Sequence, residues 1–514
     1  MVSFLIRRIL ASLVVLFVAS YLVYNLAAVS GDPLSDLKQA NIPSAQKTAL
    51  INARIAELHL DLPPFIRYFL WLGGALGFVV GRFDLGSTID GQAVTDLLSG
   101  AVGQTLQLVT GSLVIGLVIG VALGITTALR QYSGYDYGIT FLAFLFFSLP
   151  VFVIAVMLKQ FGAIGFNNFL SDPVIDPVWI VVLTLLSGVV WMVVLGGDLR
   201  RRLIVFGAAA VVTGALLVYI SVSRWFANPG MGPVVTTVLS LGAAVLVTYL
   251  STGWANKRAR WTALSVAGLG LALYFPLSAL FQQFAIINIW SVLLLIGIFS
   301  GLGGLAGYLW GGNDRRPQIR TGGLTGLLVI LILLLDRFMA SFTVYVDQVV
   351  NGRPISTVGA STPDLQASFW VVGIDTFMHL LLPTIGLVLA SLAGYSRYAR
   401  ASLLDVMNQD YIRTARAKGL NERTVVMRHA FRNALIPITT VVALDFGALI
   451  GGAIVTERVY GWTGMGAIFN SALDKVDLNP IMGFFLVTAV AAILFNFFAD
   501  VIYSALDPRI RVAA

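Results

Sequence analysis

"ARAKGLNERTVVMRHAFRNALIP", residues 415–437, carries six charged side chains and a histidine, yet apolar runs of membrane-crossing length flank it on both sides. About 20 predominantly apolar residues cross a bilayer core as a helix, and lipid admits only helices or closed barrels. These runs are far too long for barrel strands, so the chain reads as an all-α integral membrane protein. Composition agrees, with 58% hydrophobic and only 11% charged residues among 514. Working outward from the charged stretch, spans are expected at 376–396 before it and at 436–456 and 481–504 after it. Nine more are expected upstream, at 9–29, 104–129, 139–161, 178–196, 203–221, 232–252, 261–281, 288–310 and 322–340, giving twelve.

With Arg7 and Arg8 inside, twelve crossings require every second loop to be basic. Arg200, Arg201 and Arg202, then Lys257, Arg258 and Arg260, then Arg315, Arg316 and Arg320, and finally Arg509 and Arg511 satisfy that alternation. Both termini are therefore expected in the cytoplasm, and the net charge of +8 reads as topology, with no nucleic-acid partner. A basic pair, an apolar run and small residues before Ser30 also fit a cleaved signal peptide, but the run is long for one, and a retained first helix is expected. Segment 31–103 is polar enough for an outer-face domain. Within it "PPFIRYFLWLGGALGFVVG", 63–81, is assigned to the outer interface, because counting it as a span would invert every later loop.

Inside the cytoplasmic loop 397–435 the pattern is helix, break, helix. Residues 402–418 lack Pro and Gly, Gly419 interrupts, and Asn421 followed by Glu422 suits an N-cap with an acidic first turn. Val425, Val426, Ala430 and Ala434 can form one apolar stripe, with Arg423, Arg428 and Arg432 on wetter faces. Pro437 would open the next span, where its missing N–H costs little. Such a loop could grip anionic headgroups. Its ordered length fits better a rigid knob for a cytoplasmic partner to push.

Here the residues reach a family. "DYIRTARAKGLNERTVVMRHAFRNALIP" (410–437) closely resembles the coupling loop, with its alanine-glycine signature, of binding-protein-dependent ABC importer permeases. "RYARASLLDVMNQDY" (397–411), "GGAIVTERVYGWTGMG" (451–466) and "NFFADVIYSALDPRIR" (496–511) look like the dipeptide/oligopeptide/nickel branch, specifically its first permease subunit. "LHLDLPPFIRYFLWL" (58–72), "GRFDLGSTIDGQAV" (81–94) and "TLQLVTGSLVIGLVIGVALG" (105–124) fit the same branch, so the likeness covers about 1–160 and 341–514. The resemblance implies that Ala415, Ala417 and Gly419 form the signature, and that Arg413, Arg416, Lys418 and Leu420 share its docking to a separate ATPase. It also implies that His429, Arg432, Asn433 and Pro437 tie the segment to the membrane base. The family's usual acidic residue at the start of the signature is absent, with Arg413 and Thr414 in its place. The implied partners are a second, homologous permease forming a heterodimer, two ABC ATPase domains that carry ATP and Mg, and an extracytoplasmic substrate-binding protein. Peptide is the implied cargo, and the plasma (inner) membrane of a prokaryote, with its lipid, the implied setting.

The chain itself offers no chemistry to replace those partners. No Lys follows a Gly, so the Gly-Lys of a P-loop is missing, and without cysteine there is no thiolate site. Histidines at 59, 379 and 429 have no metal spacing. No catalytic residue, bound cofactor or metal is expected. Asp474 and Asp477 read as a solvated outer loop. At membrane depth Asp445 stands out in "TTVVALDFGALIGG", where the family more often has an uncharged polar residue. It either lines a path for a peptide's amino terminus or makes an interhelical contact. Gly447 and Gly451 are candidates for the same path, with helix packing as the plainer reading, as for Gly116, Gly120 and Gly124. Lys159, Asp336 and Arg337 are expected to snorkel, Asp500 to fasten helices, and Pro150 to kink the third helix.

Permeases of this branch usually have six spans, so the organisation expected is a permease core in two parts, 1–161 and 341–514, around an inserted block of about six helices at 162–340. "GLGGLAGYLWGG", 301–312, suggests tight packing or a glycine-rich end there. The rival function is a proton-coupled secondary transporter using Asp445. Against it stand the lack of a visible repeat between the halves and the uneven cytoplasmic loops.

Overall fold

The computed structural model describes residues 2–283, 287–312 and 315–506. Every regular element among them is helical, apart from one bridge between Ser87 and Ala93. Ten of the helices are long and apolar enough to cross a membrane, and Lys257–Ala272 with Tyr274–Gln282, bent by 43°, adds an eleventh if it is one span. The span expected at 436–456 lies within Phe431–Tyr460, a 30-residue helix that is not one of the ten. The interfacial stretch 63–81 forms Pro64–Leu76, whose 13 residues rise about 20 Å, short of the roughly 30 Å of a bilayer core.

Pro150 does more than kink its helix. Gly134–Ser148 stops, Leu149 turns extended at ψ 129°, and a new helix starts at Val151. The ring of Pro150 drives the preceding residue out of the helical region, which ends the first segment. The second continues through a wide π turn, Leu158–Gly165, as far as Leu170, past the end expected at 161.

The chain divides into two compact units. The first comprises Met1–Gly162, Thr357–Ala360 and Leu380–Ala514. Its core gathers Tyr68, Leu85, Val94, Phe446, Ala453 and Met482, all buried. Gly116, Gly120 and Gly124 of Val94–Leu129 lie against 391–400, where a Cβ on Gly120 would sit 2.5 Å from the Cβ of Tyr395. Small residues at four-residue spacing let the two backbones approach this closely.

The second unit comprises Ala163–Ser356 and Ser361–His379. Ile289–Trp310 and Arg316–Ala340 pack backbone to backbone, since a Cβ on Gly303, Gly307, Gly322 or Gly326 would overlap main-chain atoms of the facing helix. Pro177–Leu195 and Leu199–Val222 form a hairpin tied by Ser187 and Thr213 at 2.7 Å, and bury little else. Asp336 does not snorkel. It accepts hydrogen bonds from the Gly232 amide at 2.9 Å and the Tyr274 hydroxyl at 2.8 Å, because partners on neighbouring helices satisfy it without water. Arg337 has its Nε buried as well.

Candidate coupling and translocation site

Helix Phe369–Met407 continues well past the expected end of its span, carries Pro383 within it, and delivers the chain to the charged segment. The uninterrupted helix expected at 402–418 is broken. It stops at Met407, and a separate eight-residue helix, Asp410–Ala417, begins after Gln409 in an extended conformation. Ile412 and Ala415 of this short helix are buried with Ala128, Leu403, Val425, Ala430 and Ala434. That burial selects the break, because a straight continuation would carry Ile412 and Ala415 away from the base they cover. Arg413, Arg416, Ala417 and Lys418 remain exposed.

Gly419 turns the chain at φ +74°, a left-handed conformation that glycine adopts without strain, and Leu420 is exposed beyond it. Asn421 then caps the next helix by accepting from the Thr424 amide at 2.8 Å. Arg416 closes over the turn onto Glu422 at 2.7 Å, and this hydrogen bond holds the Glu422 carboxyl below its usual value. The four stripe residues Val425, Val426, Ala430 and Ala434 are buried. Asn433 donates to the Tyr411 hydroxyl at 2.8 Å and to the His429 carbonyl at 3.3 Å, fastening the short helix to the one that follows. Arg432 is exposed on that helix.

No loop separates this second helix from its span. A π turn, Val425–Ala430, runs straight into Phe431–Tyr460, so Pro437 lies inside a helix and not at its start. Inside a membrane bundle the lost N–H is tolerated when neighbouring groups engage the freed backbone. One residue on from the carbonyl that Pro437 frees, Ser402 donates to the Ala434 carbonyl at 2.8 Å.

Further along the same helix, Asp445 is half-buried and interacts with the buried hydroxyl of Tyr395. Gly447 faces Ala492, whereas a Cβ on Gly451 would meet nothing within 4 Å. Lys159 does not reach for the interface but donates to the Val459 carbonyl at 3.0 Å. Side-chain placement at Asp500 lies outside the described residues.

Towards the other end of Phe431–Tyr460 stand two buried carboxylates, Glu457, which the sequence did not single out, and Asp477. Glu457, fully buried, accepts from the Thr105 hydroxyl at 2.6 Å and from the Gly466 amide at 2.7 Å. Thr105 in turn accepts from the Met465 amide at 2.8 Å, so two side chains cap helix Met465–Lys475. Asp477 is buried too, correcting the solvated-loop reading, and accepts from the Ile89 amide at 2.7 Å. Burial pushes its carboxyl up to about 6 despite the amides that stabilise the charge. Lys475 pairs with Asp90 at 2.7 Å on the rim of a cavity of about 280 Å³ that Asp477 also lines. Among the described residues no cluster of three or more His, Cys, Asp or Glu could hold a metal ion.

Many apolar helices together with a charged helix pair packed on their bases define a multi-pass membrane protein. The comparisons specify which kind. Residues 327–512 match the family described as the binding-protein-dependent transport system inner membrane component. The oligopeptide transport system permease protein OppB of Mycobacterium tuberculosis is 26% identical over 513 residues, covering 100% of both chains. Its alignment therefore runs through the central block. Oligopeptide permease AppB of Bacillus subtilis is 43% identical over 137 residues, 27% of this chain and 43% of that one. Glutathione permease GsiC of Escherichia coli is 43% identical over 140 residues, 27% of this chain and 46% of that one. Residues 327–512 are thus those of a binding-protein-dependent transport membrane component, and over its full length the chain is similar to an oligopeptide permease of the ABC importers.

Proposed function

We propose that this permease forms half of a translocation path for peptides, with a second, homologous permease supplying the other half. The full-length relative named for oligopeptide transport supports that cargo class. Two ATPase domains carry ATP and Mg, an extracytoplasmic binding protein delivers the peptide, and the assembly sits in the plasma (inner) membrane of a prokaryote.

Twelve spans with both termini cytoplasmic follow if the bent pair and Phe431–Tyr460 each cross, in accord with the basic inner loops. Residues 162–340 then form an accessory membrane block. The observation that carries the mechanism is the short helix Asp410–Ala417, which buries Ile412 and Ala415 inward and presents Arg413 and Arg416 outward. Docked in an ATPase groove, it transmits movement to Phe369–Met407 and Phe431–Tyr460, the helices that bracket it. Nucleotide binding drives transport only through a difference in affinity between inward-open and outward-open states. The open face around Gly451, with Asp445 two turns earlier, is assigned to the path.

The test is uptake of labelled tripeptide by vesicles holding the purified complex. Uptake that needs ATP and stops with vanadate is expected. Uptake driven by a proton gradient without nucleotide would overturn the reading.

A further inference from the structure

Arg397 follows directly on the span expected at 376–396, on helix Phe369–Met407. Its guanidinium carbon lies 5.6 Å and 5.3 Å from the ring centroids of Phe144 and Phe147. Those rings are its partners among the described residues, and no carboxylate meets it there. Phe144 and Phe147 are 52% and 58% exposed, so an open aromatic surface lies beside this charge. One turn on, Arg400 is paired with buried Asp136 at 2.7 Å, and its charge is cancelled. Between the two arginines opens a cavity of about 150 Å³, lined also by Thr127, Thr140, Phe144 and Ser396.

Aromatic faces attract the charge of a guanidinium but accept few of its five N–H donors. At the edge of a bilayer an always-charged group with unfilled donors is costly. A phosphodiester fills them, because its two free oxygens match the guanidinium fork. We infer that this pocket binds the phosphate of an anionic phospholipid of the cytoplasmic leaflet, Arg397 holding the headgroup while Phe144 and Phe147 flank the acyl chains. With Arg400 neutralised, the pocket has one uncompensated positive charge, which suits a headgroup of net charge minus one. A zwitterionic lipid would bring a cation of its own to the same place. The bound lipid would join Gly134–Ser148 to Phe369–Met407 a few turns before the coupling helix. The leaflet rests on the orientation proposed above.

Native mass spectrometry of the whole complex, stripped of lipid and offered equal amounts of dioleoyl phosphatidylglycerol and phosphatidylcholine, tests this. The complex should retain phosphatidylglycerol in preference. Arg397→Gln should lower that retention about tenfold, the scale of one charge-assisted hydrogen bond, while Arg320→Gln leaves it unchanged. Equal retention of both lipids, or full retention by Arg397→Gln, would overturn the site. So would a photoreactive residue at 397 that links to another permease subunit and not to lipid. The same spectra count ATPase subunits, so a complex that keeps them without lipid contradicts this site alone. A complex lacking them counts against the proposed function.

Discussion

Buried carboxylates show what single residues contribute. Glu457 meets the Thr105 hydroxyl and two amides at the start of Met465–Lys475. Glu457→Ala would leave these donors buried and unpaired, a loss of about 3 kcal/mol, whereas Glu457→Gln keeps an acceptor and should cost less than half as much. Apparent Tm values of the purified complex rank the two, and equal losses would refute the capping role. Asp477 is tested by pH. Its folded carboxyl holds a proton up to about 6, against an ordinary 3.8. Raised in this way, the group favours folding fully below about pH 4, and that advantage is lost as pH rises through 6, about 3 kcal/mol in all. Asp477→Asn should flatten the Tm profile between pH 4 and 7, and a profile parallel to the parent's would contradict the assignment. Neither role was legible in the sequence, because each depends on a partner more than 350 positions away. "DKVD" looks like a wet loop until the Ile89 amide is placed over it.

Elements were more legible than their ends. Apolar runs located most of the spans, since hydrocarbon imposes one length and one secondary structure. The break at Leu149 came from Pro150 itself, read from sequence only as a kink. The one at Asn408–Gln409 followed from packing, which local composition does not encode. So did the absorption of Pro437 into a continuous helix, a position that reads as a start when its neighbours are unknown. Glycine spacing was the most transferable signal, and it separates two outcomes on one helix. Gly120→Ala would force its new methyl against Tyr395 and should cost about 1–3 kcal/mol, while Gly111→Ala, with nothing within 4 Å, should cost nothing measurable. Equal Tm values for the two variants would show that Val94–Leu129 does not pack on 391–400.

For the whole molecule, the account turns on a mechanical division of labour. In the proposed mechanism force enters from a partner ATPase, where the membrane bundle offers a stiff, exposed element. Asp410–Ala417 is the element proposed for that role. Its inner face is buried with Ala128, Leu403 and Val425, which on that proposal lets a push on Arg413 or Arg416 move the bundle. The segment itself was legible, because a charged, ordered stretch stands out in an otherwise apolar chain. The most direct measurement uses the absence of cysteine from the chain. With Arg416→Cys as the only thiol, a short bifunctional crosslinker applied to the complex in inverted membrane vesicles should join this chain to an ATP-hydrolysing subunit, with a yield that changes when nucleotide is added. A thiol reachable only from the extracytoplasmic face, or one that never links to such a subunit, would contradict the account.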